Sequence, residues 1–152
     1  MKSFQEILAS HSYDARNAFE AVNPSDYGQI QGGNRAAHVY GMINVVQQQT
    51  EQSKQYMQEA HEASRDSRVF IKETQLRNDY KMWGDEEWNQ EISDRITAQA
   101  ERSVDAEYQQ FILKLEESEQ SLVRTIKDQY HVNEREIDEE VLFQGNMQAN
   151  EQ

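Results

Sequence analysis

Trp83-Gly84-Asp85-Glu86-Glu87-Trp88 interrupts a stretch, Asn34 to Tyr130, that holds no proline and only one other glycine, Gly41. Glycine and proline disfavour helix interiors, so their near absence permits long helices on either side of this hexapeptide. Gly84 suits the left-handed position that closes a helix. Asp85 can cap the next one, and Glu86 and Glu87 complement its positive end. Two helices of about 50 and 46 residues joined by so short a turn run antiparallel. The expected fold is therefore all-α, a long antiparallel helical hairpin of coiled-coil type.

The two long segments carry different apolar rhythms. In the first, a heptad stripe passes through Val39, Ile43, Val46, Thr50, Ser53, Met57, Ala60, Ser64, Ser67, Ile71 and Thr74. Its middle is Thr, Ser and Ala where a stable zipper places Leu and Ile. In the second, Ile92, Ile96, Ala100, Val104, Tyr108, Phe111, Leu115, Glu119, Leu122, Ile126 and Tyr130 recur mostly every four residues. That spacing is nearer 11/3 than 7/2 and favours straight or slightly right-handed packing.

Residues 1–22 read as a short N-terminal amphipathic helix. Ser3 and Glu6 have capping-box spacing, and Phe4, Ile7, Leu8, Ala15, Ala18, Phe19 and Val22 share a face. Residues 23–33, dense in Gly, Asn, Ser and Asp, are expected to be a hinge. Residues 34–145 form the elongated hairpin, closed by a short helix that starts at an Asn133/Glu136 box and ends at Gly145. Residues 146–152 are expected to be a flexible tail.

The surface is acidic. Fifteen Lys and Arg face 28 Asp and Glu, a net charge of -13, and residues 84–152 carry 18 of the acids against six bases. An acidic rod repels nucleic-acid phosphates and anionic lipid, so no direct nucleic-acid contact is expected. Leu, Ile, Val and Phe together number only 29, too few for a large core. No apolar run is long enough for a stable membrane span, and Met1-Lys2-Ser3-Phe4-Gln5-Glu6 turns polar too early for a signal peptide. The chain is expected to be soluble, in the cytoplasm or a virion.

Chemistry leaves little trace. The chain has no Cys, and its four His, His11, His38, His61 and His131, are widely separated. Only Asp128 and His131 have the spacing of a bundle metal half-site, so neither metal nor cofactor is expected. The carboxylates of Glu116, Glu117 and Glu119, and of Glu136, Asp138, Glu139 and Glu140, lie in runs that must be mostly solvated, without the burial or close pairing that catalytic carboxylates need. No nucleophile or phosphate-loop motif is present, and the chain is expected not to be an enzyme.

Two regions point to protein contacts. Ala36 to Val46 is apolar on nearly every side, and Gly33, Ala37 and Gly41 form a small-residue strip that would let another helix approach. Trp83 and Trp88, with Tyr80 and Met82, make an aromatic tip, read first as the hydrophobic plug of the turn and second as a partner anchor. Candidate interaction residues are Val39, Tyr40, Ile43, Val46, Trp83, Trp88, Tyr108, Phe111 and Leu115.

Trp83-Gly84, with Tyr130 and Glu134, loosely resembles the Trp-x-Gly hairpins of type VII export and their Tyr-x-x-x-Asp/Glu signal. No residue separates Trp from Gly here, and that family is not assigned. Nineteen Gln, including Gln47-Gln48-Gln49, together with Ala, Ser and Glu on long helices, give a composition similar to internal, ejection and scaffolding proteins of tailed bacteriophages. Glu140-Val141-Leu142-Phe143-Gln144-Gly145 resembles a picornaviral cysteine-protease site with Asn146 in place of Pro, either natural or a tag remnant.

Ordering each residue costs roughly 1 to 2 kcal/mol, and two poor seams offset that only marginally. The expected function is a non-enzymatic structural or assembly protein, a helical homo-oligomer or one subunit among others, as in a phage particle. The alternative is an acidic binding module, such as a secretion chaperone, adaptor or secreted hairpin protein. A third reading is transient membrane contact through residues 36–46.

Overall fold

The computed structural model describes residues 2–20, 34–84 and 87–151; the expected hinge at 23–33 lies outside them. The described residues form α1 (Phe4–Glu20), α2 (Asn34–Trp83), α3 (Gln90–Tyr130) and α4 (Glu134–Glu151). At 1.5 Å per residue the 50-residue α2 is about 75 Å long. It pairs with α3 along most of that length, which is the expected antiparallel hairpin.

Local chemistry sets most helix ends. Ser3 Oγ accepts from the Glu6 N–H at 3.2 Å, one half of the anticipated box. At α4 the box is complete: Glu136 N–H donates to Asn133 Oδ1 at 2.9 Å, and Asn133 N–H to Glu136 Oε2 at 3.1 Å. The start of α3 falls later than expected, because Asn89 is the cap; its Oδ1 accepts from Ile92 N–H at 2.9 Å. Asp85, the anticipated cap, lies outside the described residues. α3 ends on His131 in the left-handed region, φ 54°, with His131 and Val132 N–H donating to the carbonyls of Asp128 and Lys127. Val132 then turns inward and is buried, fixing the exit to α4.

Gly84 serves the turn differently from the expectation. It does not take the left-handed conformation; its N–H donates to Tyr80 O at 2.7 Å, and an added Cβ would stand 2.6 Å from that oxygen and 2.8 Å from the Tyr80 ring. Close approach, not positive φ, requires the glycine. Gly145 does not stop α4, which continues to Glu151, and a Cβ at 145 would meet open space.

The core divides the hairpin in two. Over its base half, α1 lies in the groove between α2 and α3. Phe4, Ile7, Met57, Ala60 and Leu115 form one buried cluster, and Ala15 joins Val39, Ile43, Val46, Leu122 and Ile126 in a second, closed by Val132 and Ile137. α4 covers α2 there with its first turns. Each buried Ile, Leu or Met contributes about 1.5 to 3 kcal/mol. Over the tip half, among the described residues, only α2 and α3 face each other, and their cluster is Val69, Ala100 and Val104 with Leu76 beside it.

The α3 stripe is buried or half-buried as read, from Ile92 to Tyr130. The α2 stripe holds as far as Ser64 and then slips. Ser67, Ile71 and Thr74 are exposed, and Val69 and Leu76 face α3 instead. The cause is the partner: α3 advances by fours from Ile92 to Val104, and a facing antiparallel helix must take the same pitch to stay in contact.

Candidate interaction surfaces

Where the three-layered half gives way to the two-layered half, a polar cluster ties the helices together. Arg65 grips Asp105 with two nitrogens, Nε at 2.9 Å and a terminal nitrogen at 3.1 Å. This bidentate bond holds the Asp105 carboxyl below its ordinary range. His61 Nε2 lies 3.2 Å from Asp105 Oδ1, and its ring stacks on Tyr108 at 4.2 Å with an angle of 5°. Arg68 completes the junction, donating to His61 Nδ1 at 3.2 Å, to Glu107 at 3.1 Å and to the Val104 carbonyl at 3.4 Å. Its guanidinium carbon is 4.6 Å from the centre of the Phe4 ring. An open cleft of about 520 Å³ beside Phe4, Ala60 and Arg68 marks where the third layer stops.

The chemistry of this cluster is positional. A guanidinium only donates, so His61 Nδ1 accepts from Arg68 and Nε2–H points to Asp105. A histidine–carboxylate pair is half of a general-base arrangement, yet the lone pair a base would use is occupied by Arg68. The cluster holds α1, α2 and α3 in register at the point where α1 begins.

The sequence-selected residues separate into two groups. Val39, Ile43 and Val46 are buried against α1, α3 and α4, with Tyr40 half-buried nearby. Leu115 is buried and Tyr108 and Phe111 half-buried around Phe4, whose ring centre is 5.3 Å from that of Phe111. Trp83 and Trp88 are exposed at the far end, 77 % and 46 %. Trp88 leans on Tyr80 edge-to-face at 5.6 Å, with the Arg77 guanidinium 5.9 Å from its centre. It is partly the plug that was anticipated; Trp83 points away from the chain. Of the small-residue strip, Gly33 lies outside the described residues, and a Cβ on exposed Gly41 would touch nothing.

Two surface features and one buried side chain are not legible in the sequence pattern. Phe70 and Ile71 are 68 % and 56 % exposed on the two-layered half, and Met82, read above as part of the aromatic tip, is exposed as well. The slipped stripe hides Phe70 and Ile71, because a continued heptad places Ile71 inside the seam. Val141, Leu142 and Phe143 are likewise exposed on α4, beyond the turns that pack. His11 is buried, although four residues from both Ile7 and Ala15 it could have been placed on the α1 stripe. No helix among the described residues is long and apolar enough to cross a membrane. Compared with protein-family models, curated proteins and solved structures, the chain matches none.

Proposed function

We propose that this chain is a non-enzymatic structural protein that self-associates through the tip half of its hairpin, as one component of a multi-copy helical assembly. The observation that carries this reading is the contrast between the halves. Among the described residues the base half has its third layer and the tip half has two, with Phe70, Ile71, Met82 and Trp83 exposed there; the base half also exposes Val45, Tyr56 and Leu113, so it is the missing layer that marks the tip. Surface area supports it. The chain exposes 10510 Å², whereas a compact monomer of its mass would expose roughly 8,000 Å². The excess is that of an elongated chain, which leaves room for a standard interface of about 800 Å² on each partner. A bacteriophage particle, suggested by the Gln-, Ala- and Glu-rich composition, is the setting proposed.

Both tryptophans of the chain sit at the tip, which gives the test its probe. Sedimentation velocity across a hundredfold concentration range should show growth in mass, with Trp emission shifting to the blue as the tip is covered. Phe70→Ser with Trp83→Ser should hold the chain at monomer mass without loss of helical signal. A wild-type chain that stays monomeric at every concentration overturns the proposal.

The second reading, an acidic module for a basic partner, draws on a different observation. The Glu134–Glu140 run begins α4 and leads directly into exposed Val141, Leu142 and Phe143. In that case the free chain remains small, and a basic partner would be displaced by salt.

A further inference from the structure

His11 is 1 % exposed, the only imidazole among the described residues shut away to that degree, and all three helices of the base half meet on it. From α2, Thr50 Oγ1 stands 2.9 Å from Nε2. From α3, Ser118 Oγ stands 3.2 Å from Nδ1, and Ser12 Oγ lies 3.2 Å from Ser118 Oγ. The protons can be assigned in order. Thr50 gives its own hydrogen to the Val46 carbonyl at 3.0 Å, so toward His11 it can only accept. Nε2 therefore carries the proton and Nδ1 is the acceptor, which makes Ser118 the donor to Nδ1 and Ser12 the donor to Ser118. In this order the bonds run in one direction across α1, α2 and α3 around the neutral ring; because the hydroxyls of Ser118 and Ser12 can rotate, what opposes a charged ring is its burial.

We propose that His11 is an acid-sensitive latch: protonation of its ring releases α1 from the groove between α2 and α3 and bares the cluster of Met57, Ala60 and Leu115. A proton on Nδ1 requires Ser118 and Ser12 to reverse their hydroxyls, and it puts a charge on a side chain that is only 1 % exposed. Burial accordingly pushes the His11 pKa down, and nearby Asp14 on the same helix opposes the shift with a smaller effect. The next charged groups along the facing helices are Glu51 and Lys54 on α2 and Glu116, Glu117 and Glu119 on α3. Lys54 is paired with Glu116 at 3.2 Å and with Glu51 at 3.8 Å.

The sign follows from linkage. Released α1 carries a histidine of ordinary pKa, 6.5, and docked α1 a histidine of lower pKa, so the released state binds more protons. Docking is at full strength above that ordinary value and weakens as pH falls from it to the docked value. For one proton the docking equilibrium constant falls by up to about tenfold per pH unit inside that window.

The chain has no cysteine, so spin labels can be placed cleanly at Tyr13→Cys and Glu117→Cys, both exposed positions on α1 and α3. Between pH 7.5 and 5 the short inter-label distance should give way to long ones. His11→Gln preserves one donor for Thr50 and one acceptor for Ser118 without titrating, and should abolish the pH dependence. His61→Gln, which alters the imidazole beside Phe4, should retain it. A distance that is unchanged over this range overturns the latch, and so does a pH dependence that survives in His11→Gln or vanishes in His61→Gln. If His11→Gln does not fold, His11→Asn, which offers the same donor and acceptor on a shorter side chain, takes its place with the same readout. The outcome is independent of whether the tip half self-associates.

Discussion

Leu115→Ala and Leu76→Ala make the same chemical change on the two halves of the hairpin and should have very different costs. Leu115 is fully buried, at 0 % exposure, among Phe4, Ile7, Met57 and Ala60, side chains from three helices. A cavity there has walls on every side and cannot collapse without moving α1, which places the expected loss at about 3 to 5 kcal/mol. Leu76 is half-buried beside Val69, Ala100 and Val104, with no third helix over it among the described residues. Water already reaches part of it, so its truncation should cost about 1 kcal/mol, little more than the transfer of the exposed-edge methyl groups. Urea unfolding followed by circular dichroism on dilute protein measures both. Equal losses would refute the two-layered account of the tip, since they would mean that Leu76 is as enclosed as Leu115. Repeating the pair at high concentration adds a second reading, because a tip covered by another copy should raise the cost of Leu76→Ala and leave that of Leu115→Ala unchanged.

Other expectations are local. Gly84→Ala should destabilise the turn, because its methyl would be driven into the Tyr80 carbonyl; Trp fluorescence should report a rearranged tip while the base half keeps its hydrogen-exchange protection. His131→Gly should stabilise the chain by about 0.5 kcal/mol or more, the relief of a left-handed non-glycine residue outweighing the added freedom of the unfolded chain; a lower thermal midpoint would contradict it. Asn89→Ala and Asn133→Ala should each cost about 1 kcal/mol through the lost caps, measured by the shift of the urea midpoint. Asp105 should titrate below 3.8 by carboxyl NMR, and Arg65→Met should return it toward that value. The stability the pair contributes is present above that ordinary value and lost as pH falls through the depressed one, and solvent screening keeps it small.

The hairpin was legible because its signals are local. Absent proline and a four-residue stripe on α3 each act within a turn or two of chain, whereas the turn departs from its pattern, since Gly84 is not left-handed and Asn89 caps α3. What the sequence hid depends on the partner helix. Ile71 fits a heptad and would face inward if α3 also followed one; since α3 steps by fours, Ile71 is left outside and Val69 takes its place. The junction of His61, Arg65, Arg68, Asp105 and Glu107 is equally non-local, because it joins residues about 40 apart whose spacing along either helix is unremarkable. Trp83 and Trp88 were legible as a pair, but which of them would lean on Tyr80 was not, since that depends on how the backbone passes Gly84.

Charge placement sharpens the case for the tip as the meeting point of copies. Residues 64–106 contain seven basic and ten acidic side chains, so this half carries only -3 of the net -13, and the remaining -10 belongs to the base half with α1 and α4. Within the tip half the signs are segregated: residues 64–83 hold Arg65, Arg68, Lys72, Arg77 and Lys81 against three acids, and residues 85–106 hold seven acids against Arg95 and Arg102. Copies that approach through their base halves meet strong like charge. Copies that approach through their tips meet far less like charge, since each tip carries only -3 and Arg65, Arg68 and Arg77 are already paired within their own chain. At a physiological Debye length of about 8 Å the base halves, held some tens of ångströms away along the rod, would not oppose that contact. Lowering the salt should therefore weaken an association made through the base far more than one made through the tips, and sedimentation at two ionic strengths separates them.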